Sequence, residues 1–369
     1  MSKASQAVFD YAKANVMRGA LYNSTSIGQI AAHKITHNAI ARAALNVSRM
    51  PRSEWTVVEI FDLGCGAGAS ALDVCSRVVS DIRANGVANP IRYGFIDLFE
   101  NNWGSLMNTL HGNPECSPLH YVFPFTQPGD FYARCAPPRS VDLHLSMIAL
   151  HWMAGPPLEP EASLATTPFL FAQEPAVPEQ VTSLWANKAE ADLTRFLRFR
   201  AEELRPGCEA ILLMVGGEGP QEWLARGSDR ASVLRQALWR AYDAGDVDEA
   251  AATRAFVSVY FRSAADVRAA VAAVPQLELV EVATTTIPIA EGLGAASGAM
   301  CDLAWSIFGA SMEATSGLSE AQLERIRHHL SEVLDERFLP DEGALHTYVM
   351  AAVRRRNDPE NVLREGIWD

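Results

Sequence analysis

The stretch from Val57 to Ser70, Val-Val-Glu-Ile-Phe-Asp-Leu-Gly-Cys-Gly-Ala-Gly-Ala-Ser, limits the possible folds more than any other part of the chain. It opens with a short apolar run rich in β-branched residues, the pattern of a buried parallel strand. Asp62 follows, then glycines at 64, 66 and 68, then an alanine-rich helical pattern. Glycines at such a turn let the backbone bend tightly and come close to a ligand. The free N–H groups at the start of the helix then face that ligand.

Two nucleotide cofactors suit this turn. Gly64-x-Gly66-x-x-Ala69 fits a loose dinucleotide fingerprint, which alone would suggest a nicotinamide-dependent reductase. The acid just before the glycines favours S-adenosylmethionine, whose amino-acid group brings an ammonium to the strand end. A carboxylate there attracts an ammonium and repels a pyrophosphate.

Further along, the pattern alternates strand and helix, which predicts an α/β fold with a parallel sheet. Strands are expected at 56–62, 91–96, 140–146, 209–215, 277–287 and 345–353. Helices are expected at about 68–84, 179–204, 220–254, 264–274 and 291–338. Residues 1–50 read as a helical arm whose second helix runs from Ile30 to Val47. The sheet domain is expected over 51–217, 256–290 and 341–356. The helices of 218–255 and 291–340 have no strand partners and are expected to form a cap over the strand C-termini. Strand two ends in Asp97-Leu98, where an acid in doubly wound folds commonly holds ribose hydroxyls. His151 and Trp152 lie just past the end of a predicted strand, the edge where open α/β sheets bind ligands. The basic Arg354-Arg355-Arg356 reads as a solvated end.

The net charge of −13 argues against nucleic acid or anionic membrane as partners. No apolar run is long enough to span a membrane, and Met1-Ser-Lys-Ala-Ser lacks a secretory pattern. The six cysteines, 65, 75, 116, 135, 208 and 301, form no CxxC pair, which suggests reduced thiols and a cytoplasmic protein. His33 and His37 have zinc-like spacing, but Lys34 between them opposes a metal.

Five motifs occur together in order: Tyr22-x-x-x-Ser26-x-x-Gln29, Asp62-Leu-Gly-Cys, Asp97-Leu98, Pro128-Gly-Asp-Phe-Tyr132, and Ser146-x-x-x-Leu150-His-Trp152. Asp192-x-x-x-Phe196-Leu-x-x-Arg200-x-x-Glu203-Leu-x-x-Gly207 follows. Over nearly its whole length the chain resembles the SABATH methyltransferases, which methylate small carboxylic acids and, in some members, ring nitrogens of xanthine alkaloids. The resemblance implies a Rossmann-like class I methyltransferase sheet with an α-helical cap, S-adenosylmethionine as cofactor, a small carboxylic acid as substrate, and a homodimer. It also implies roles by position. Asp62 and Gly64 contact the methionine part of the cofactor, Tyr22 and Ser26 close over it, Asp97 and Leu98 take the ribose and flank the adenine, and Phe131 packs near the adenine. Gln29 and Trp152 hold the substrate carboxylate with His151 beside them.

The chain also departs from the family. Ser70 stands where an asparagine contacts the cofactor, Asp130 replaces an adenine-binding serine, and Ile148 replaces a tyrosine, making the pocket less polar. Some family members carry a magnesium or calcium near the site; Asn187 falls near one such ligand, but no cluster surrounds it, and no required metal is expected. A carboxylate acceptor is already ionised at neutral pH and needs no general base. A phenol or ring nitrogen would need one, and His151 would then become essential.

Overall fold

A computed structural model describes residues 27–111, 121–157, 170–218, 232–288, 297–337 and 345–357. Two helices, α1 (Ile27–His33) and α2 (His37–Arg49), flank a single 3-10 turn, Lys34–Thr36. Then come β1 (Val58–Leu63), α3 (Ala69–Ala84), β2 (Ile91–Asp97), α4 (Trp103–His111), β3 (Val122–Pro128) and β4 (Val141–Met147). The long α5 (Glu179–Glu203) runs directly into β5 (Leu204–Val215). The remaining elements are α6 (Val233–Asp243), α7 (Glu249–Arg254), α8 (Ala264–Ala272), β6 (Leu277–Pro288), α9 (Ser297–Ser316), α10 (Glu320–Arg337) and β7 (Leu345–Arg355).

The seven described strands form one sheet in the order β3-β2-β1-β4-β5-β7-β6. β1 to β5 pair in parallel, while β7 lies antiparallel between β5 and β6. The order reverses between β1 and β4, and that switch point places the C-terminal ends of these strands around a crevice. Alternate strand residues feed two cores. Ile60, Leu145 and Ile211 pack with α2 and α3 on one face. Leu63, Ala210 and Leu212 pack with Leu193, Phe196 and Leu197 of α5 and Val267 of α8 on the other. α6, α7, α9 and α10 pack on one another as a separate helical layer. Phe308 of α9 reaches back to Trp152, with ring centroids 6.1 Å apart.

Several elements differ from the sequence expectations. The arm is already helical over Ile27–His33, and its helix breaks where Thr36 turns its hydroxyl back to donate to the His33 carbonyl at 2.7 Å. β5 starts five residues early: Leu204 pairs with Val141 of β4, and the chain bulges over 205–208, with Gly207 at φ +81°, before Glu209 resumes the pairing at Leu143. The two long helical stretches divide at Gly245 and Gly317, both at positive φ. The basic end is not free in solvent: Arg354 pairs with Glu209 at 2.7 Å and Glu278 at 3.2 Å, and buried Arg355 donates to the carbonyls of Leu204 and Glu202. His33 is a buried packing residue whose Nδ1 lies 3.3 Å from Asp73.

Candidate active site

The turn after β1 is built by backbone conformations that only glycine adopts readily. Gly64, Gly66 and Gly68 sit at φ +89°, +55° and +104°. A Cβ on Gly64 would fall 2.3 Å from the Ala149 Cβ and 3.4 Å from the Phe131 ring. That contact also locates the two neighbours: Ala149, just after β4, and Phe131, after β3, both press on the turn. Beneath it, Asp62 is 1% exposed and its Oδ2 has no hydrogen-bond partner. Burial, reinforced by the charge of Asp97, pushes the Asp62 carboxyl up to about 8. An isolated acid of this kind invites a cationic partner.

Asp97 ends β2 and braces the same turn. Its two oxygens accept the N–H groups of Gly66 at 2.6 Å and Leu98 at 2.7 Å. Burial still raises it to about 6, the N–H bonds opposing that rise. The Gly129 N–H donates to the Asp97 carbonyl, drawing the β3 turn over it. Beyond that turn, exposed Asp130 accepts the Tyr132 N–H at 2.8 Å, and Phe131 is buried against Tyr132 and Phe196. A wholly buried Arg200 holds this loop in place. It donates to the carbonyls of Phe131 and Ala133, each at 2.8 Å, and pairs with Glu203 at 2.8 Å. The Glu203 carboxylate takes the Cys135 N–H and faces His144 at 3.1 Å. It is held down at about 2 by bonds to His144 and the Arg200 charge, which outweigh its burial.

The third wall is the segment after β4. Ile148 sits at φ +60°, a strained conformation for a β-branched residue, with its N–H bonded to the Leu213 carbonyl at 2.6 Å. That reversal carries His151 and Trp152, each 5% exposed, with ring centroids 5.7 Å apart. The indole Nε1 of Trp152 and the Nδ1 of His151 are buried without partners. Burial, helped by the Arg262 charge, lowers His151 to about 3, so its ring is neutral at physiological pH. His346 of β7 is likewise pushed down to about 3, mainly by burial, with His151 near enough that protonation of one ring would oppose protonation of the other.

Gln29 sits on α1, buried, with its Oε1 unpaired, and it makes no hydrogen bond to His151 or Trp152. Ser70 occupies the second residue of α3, half-buried, at the mouth of the glycine turn. Tyr22 and Ser26 lie outside the described residues. Asn187 is on α5, lining an open cavity of about 630 Å³ with Glu179 and Leu184. Among the described residues no cluster of three His, Cys, Asp or Glu side chains could hold a metal.

Asn101 and Arg262 belong to none of the sequence motifs, and Ser146 only opens the motif that ends in Trp152. Asn101 donates to the Gly66 carbonyl at 2.8 Å, and Ser146 donates to the Leu63 carbonyl at 3.0 Å. Both secure the glycine turn from neighbouring strand ends. Asn101 was findable only as a polar residue following the strand-end acid; Arg262 carried no motif.

Comparison with known proteins bears on the family and the fold. A family model described as SAM dependent carboxyl methyltransferase matches residues 18–337. A probable 7-methylxanthine methyltransferase 5 of Theobroma cacao is 28% identical over 166 residues, 43% of this chain and 46% of that protein. Gibberellic acid methyltransferase 2 of Arabidopsis thaliana is 26% identical over 236 residues, 59% of this chain and 60% of that protein. The match thus spans about half the length of such curated relatives. A solved loganic acid methyltransferase with SAH shares the fold, with a TM-score of 0.78 at 18% identity over 92% of this chain and 97% of that one. On the family model, which covers most of its length, the chain belongs to the SABATH family of S-adenosylmethionine-dependent carboxyl methyltransferases.

Proposed function

We propose that this protein transfers the methyl group of S-adenosylmethionine to the carboxylate of a small, fairly apolar acid and releases the methyl ester. The observation that carries the reading is the buried, unpartnered indole N–H of Trp152 beside a neutral His151 at the strand-edge crevice. Neutral donors orient a carboxylate without binding its full charge tightly, and that charge disappears during transfer. His151, held near 3, is a poor base for a phenol or ring N–H, which favours an acceptor that is already ionised.

The cofactor fits the residues present. The unpaired Oδ2 of Asp62 offers a counter-charge for an ammonium, and the Gly64 turn has no room for a side chain. Asp62 and Gly64 would hold the methionine part, with Ser70 at the helix start. Asp97 and Leu98 would take the ribose, and Asp130 and Phe131 the adenine. When bound, the cofactor supplies an electrophilic sulfonium methyl. Trp152, His151 and Gln29 would align the acceptor oxygen, which is where most of the rate gain lies; alignment contributes up to roughly 7–11 kcal/mol in ideal cases. Tyr22 and Ser26 of the arm, residues 1–50, would close over the cofactor. The layer from 218–255 and 291–340 would act as a cap that excludes water.

We further read the protein as a cytoplasmic homodimer. The five described cysteines are buried and unbridged, and no described helix is long and apolar enough to cross a membrane. The test is a panel assay with methyl-labelled S-adenosylmethionine and aromatic, indolic, terpenoid and fatty acids, with xanthines and phenols alongside. Base-labile, volatile label from an acid supports the proposal; label only on nitrogen or phenol overturns it.

A further inference from the structure

Residues 256–263 cross the C-terminal edge of the sheet and lock onto the segment after β4. The Tyr260 N–H donates to the His151 carbonyl, the Met153 N–H to the Ser258 carbonyl, and Val259 bridges Trp152. Arg262 lies at the end of this crossing and is 1% exposed. Its guanidinium donates to the carbonyl of Leu150 and, at 3.0 Å, to that of Ala189 in α5, while its Nε has no partner. Arg200, equally buried, has Glu203; Arg262 has no carboxylate partner among the described residues. Tyr132 completes the arrangement by donating from its hydroxyl to the Trp152 carbonyl at 2.6 Å. The carbonyls on either side of His151 are thus gripped by side chains from two different elements.

A charge buried without a counter-ion is costly, and an apolar side chain of similar volume often serves stability as well or better. In this segment the Ala149 and His151 carbonyls accept backbone N–H groups, while those of Leu150 and Trp152 are left to the side chains of Arg262 and Tyr132. We propose that Arg262 is a positioning residue for the methyl acceptor: through the Leu150 carbonyl it sets the orientation of His151 and Trp152. The inference rests on the carboxylate reading above for its consequence, but its structural half can be read without any substrate.

The experiment compares the parent with Arg262→Met and Arg262→Lys. The Trp152 indole N–H is one of eight such signals in an ¹⁵N-tryptophan spectrum and is assigned by its loss in Trp152→Phe. In Arg262→Met that signal moves while cofactor affinity stays within about threefold, and kcat/KM for the best acid falls about 30–100-fold. Arg262→Lys, which restores charge and a donor but not the planar fork, recovers about tenfold of the loss. An unmoved Trp152 signal in Arg262→Met overturns the proposal. So does a cofactor affinity that falls in step with kcat/KM, which would mark Arg262 as general scaffolding. If Arg262→Met does not fold, Tyr132→Phe keeps the Arg262 guanidinium in place and removes only the hydroxyl that bonds the Trp152 carbonyl and contacts the Arg262 side chain, and the same signal is expected to move. Should the parent methylate no acid at all, the carboxylate reading fails while the spectrum still decides the positioning role.

Discussion

Cofactor affinity is predicted to depend steeply on pH through one carboxyl. Asp62 is buried with Oδ2 unpaired and is raised from 3.8 to about 8 in the free protein. At pH 7 roughly a tenth of it is ionised, so preparing the carboxylate for an ammonium costs about 1.4 kcal/mol. At pH 6 the cost doubles, and affinity falls about tenfold for each unit below 8. Above about 8 the cofactor's own α-amino group, with an ordinary value of about 7.7–8.0, loses its proton and affinity falls again. The expected profile is a bell centred near pH 8, with binding accompanied by proton release on its acid side. Asp62→Asn removes the ion pair. Breaking a buried pair costs about 3–5 kcal/mol, and subtracting the ionisation cost leaves about 2–4 kcal/mol, or roughly 30–1000-fold weaker binding at pH 7. Titration calorimetry in two buffers of different ionisation enthalpy reads both affinity and proton release. Stability of the cofactor-free protein gives a cross-check. The folded-state value lies above the unfolded one, so the penalty is absent below 3.8, grows as pH rises, and is complete above about 8. Asp62→Asn should therefore be the more stable protein at pH 8.5. Affinity that is flat from pH 6 to 8, with no proton released, would refute the reasoning.

Other substitutions separate the walls of the site. Gly64→Ala places a Cβ 2.3 Å from Ala149 at φ +89° and should cost about 2–4 kcal/mol by urea unfolding, with cofactor binding lost. Trp152→Phe keeps the packing but removes the indole donor; kcat/KM for the acid should drop about 100-fold with cofactor affinity unchanged, and parallel loss of both would contradict the assignment. Glu203→Gln leaves Arg200 buried without its counter-ion and should destabilise by about 3–5 kcal/mol. In the parent, Glu203 is lowered from 4.5 to about 2, so its contribution is complete above pH 4.5 and is lost as pH falls through about 2, which acid unfolding of parent and variant should show.

Much of this architecture was readable because it rests on local chemistry. The glycine turn, the acids at 62 and 97, and the strand-helix alternation follow from backbone preferences that act over a few residues. The parts that resisted reading depend on contacts between distant residues. Nothing near Arg262 in the chain announces that Leu150, 112 positions away, will need a donor. The basic run at 354–356 looks like a solvated end until Glu209 and Glu278 are brought beside it by two neighbouring strands. The arm helix looked continuous because Thr36 shows its back-bonding only once His33 is buried against α3. The Tyr22 and Ser26 assignments still rest on the motif.

The placement of β7 between β5 and β6 has a consequence for biosynthesis. A ribosome delivers β5 and β6 well before residues 345–355, yet among the described strands β6 pairs with β7 alone. Until β7 emerges, β6 has nothing to pair with and β5 presents an open edge, the kind of surface that recruits other chains. Nascent chains stalled before residue 345 would carry a glycine turn on a half-finished sheet and would be clients for chaperones. Among the seven described strands, the sheet is therefore completed by insertion of β7 between two strands made before it rather than by growth at a margin.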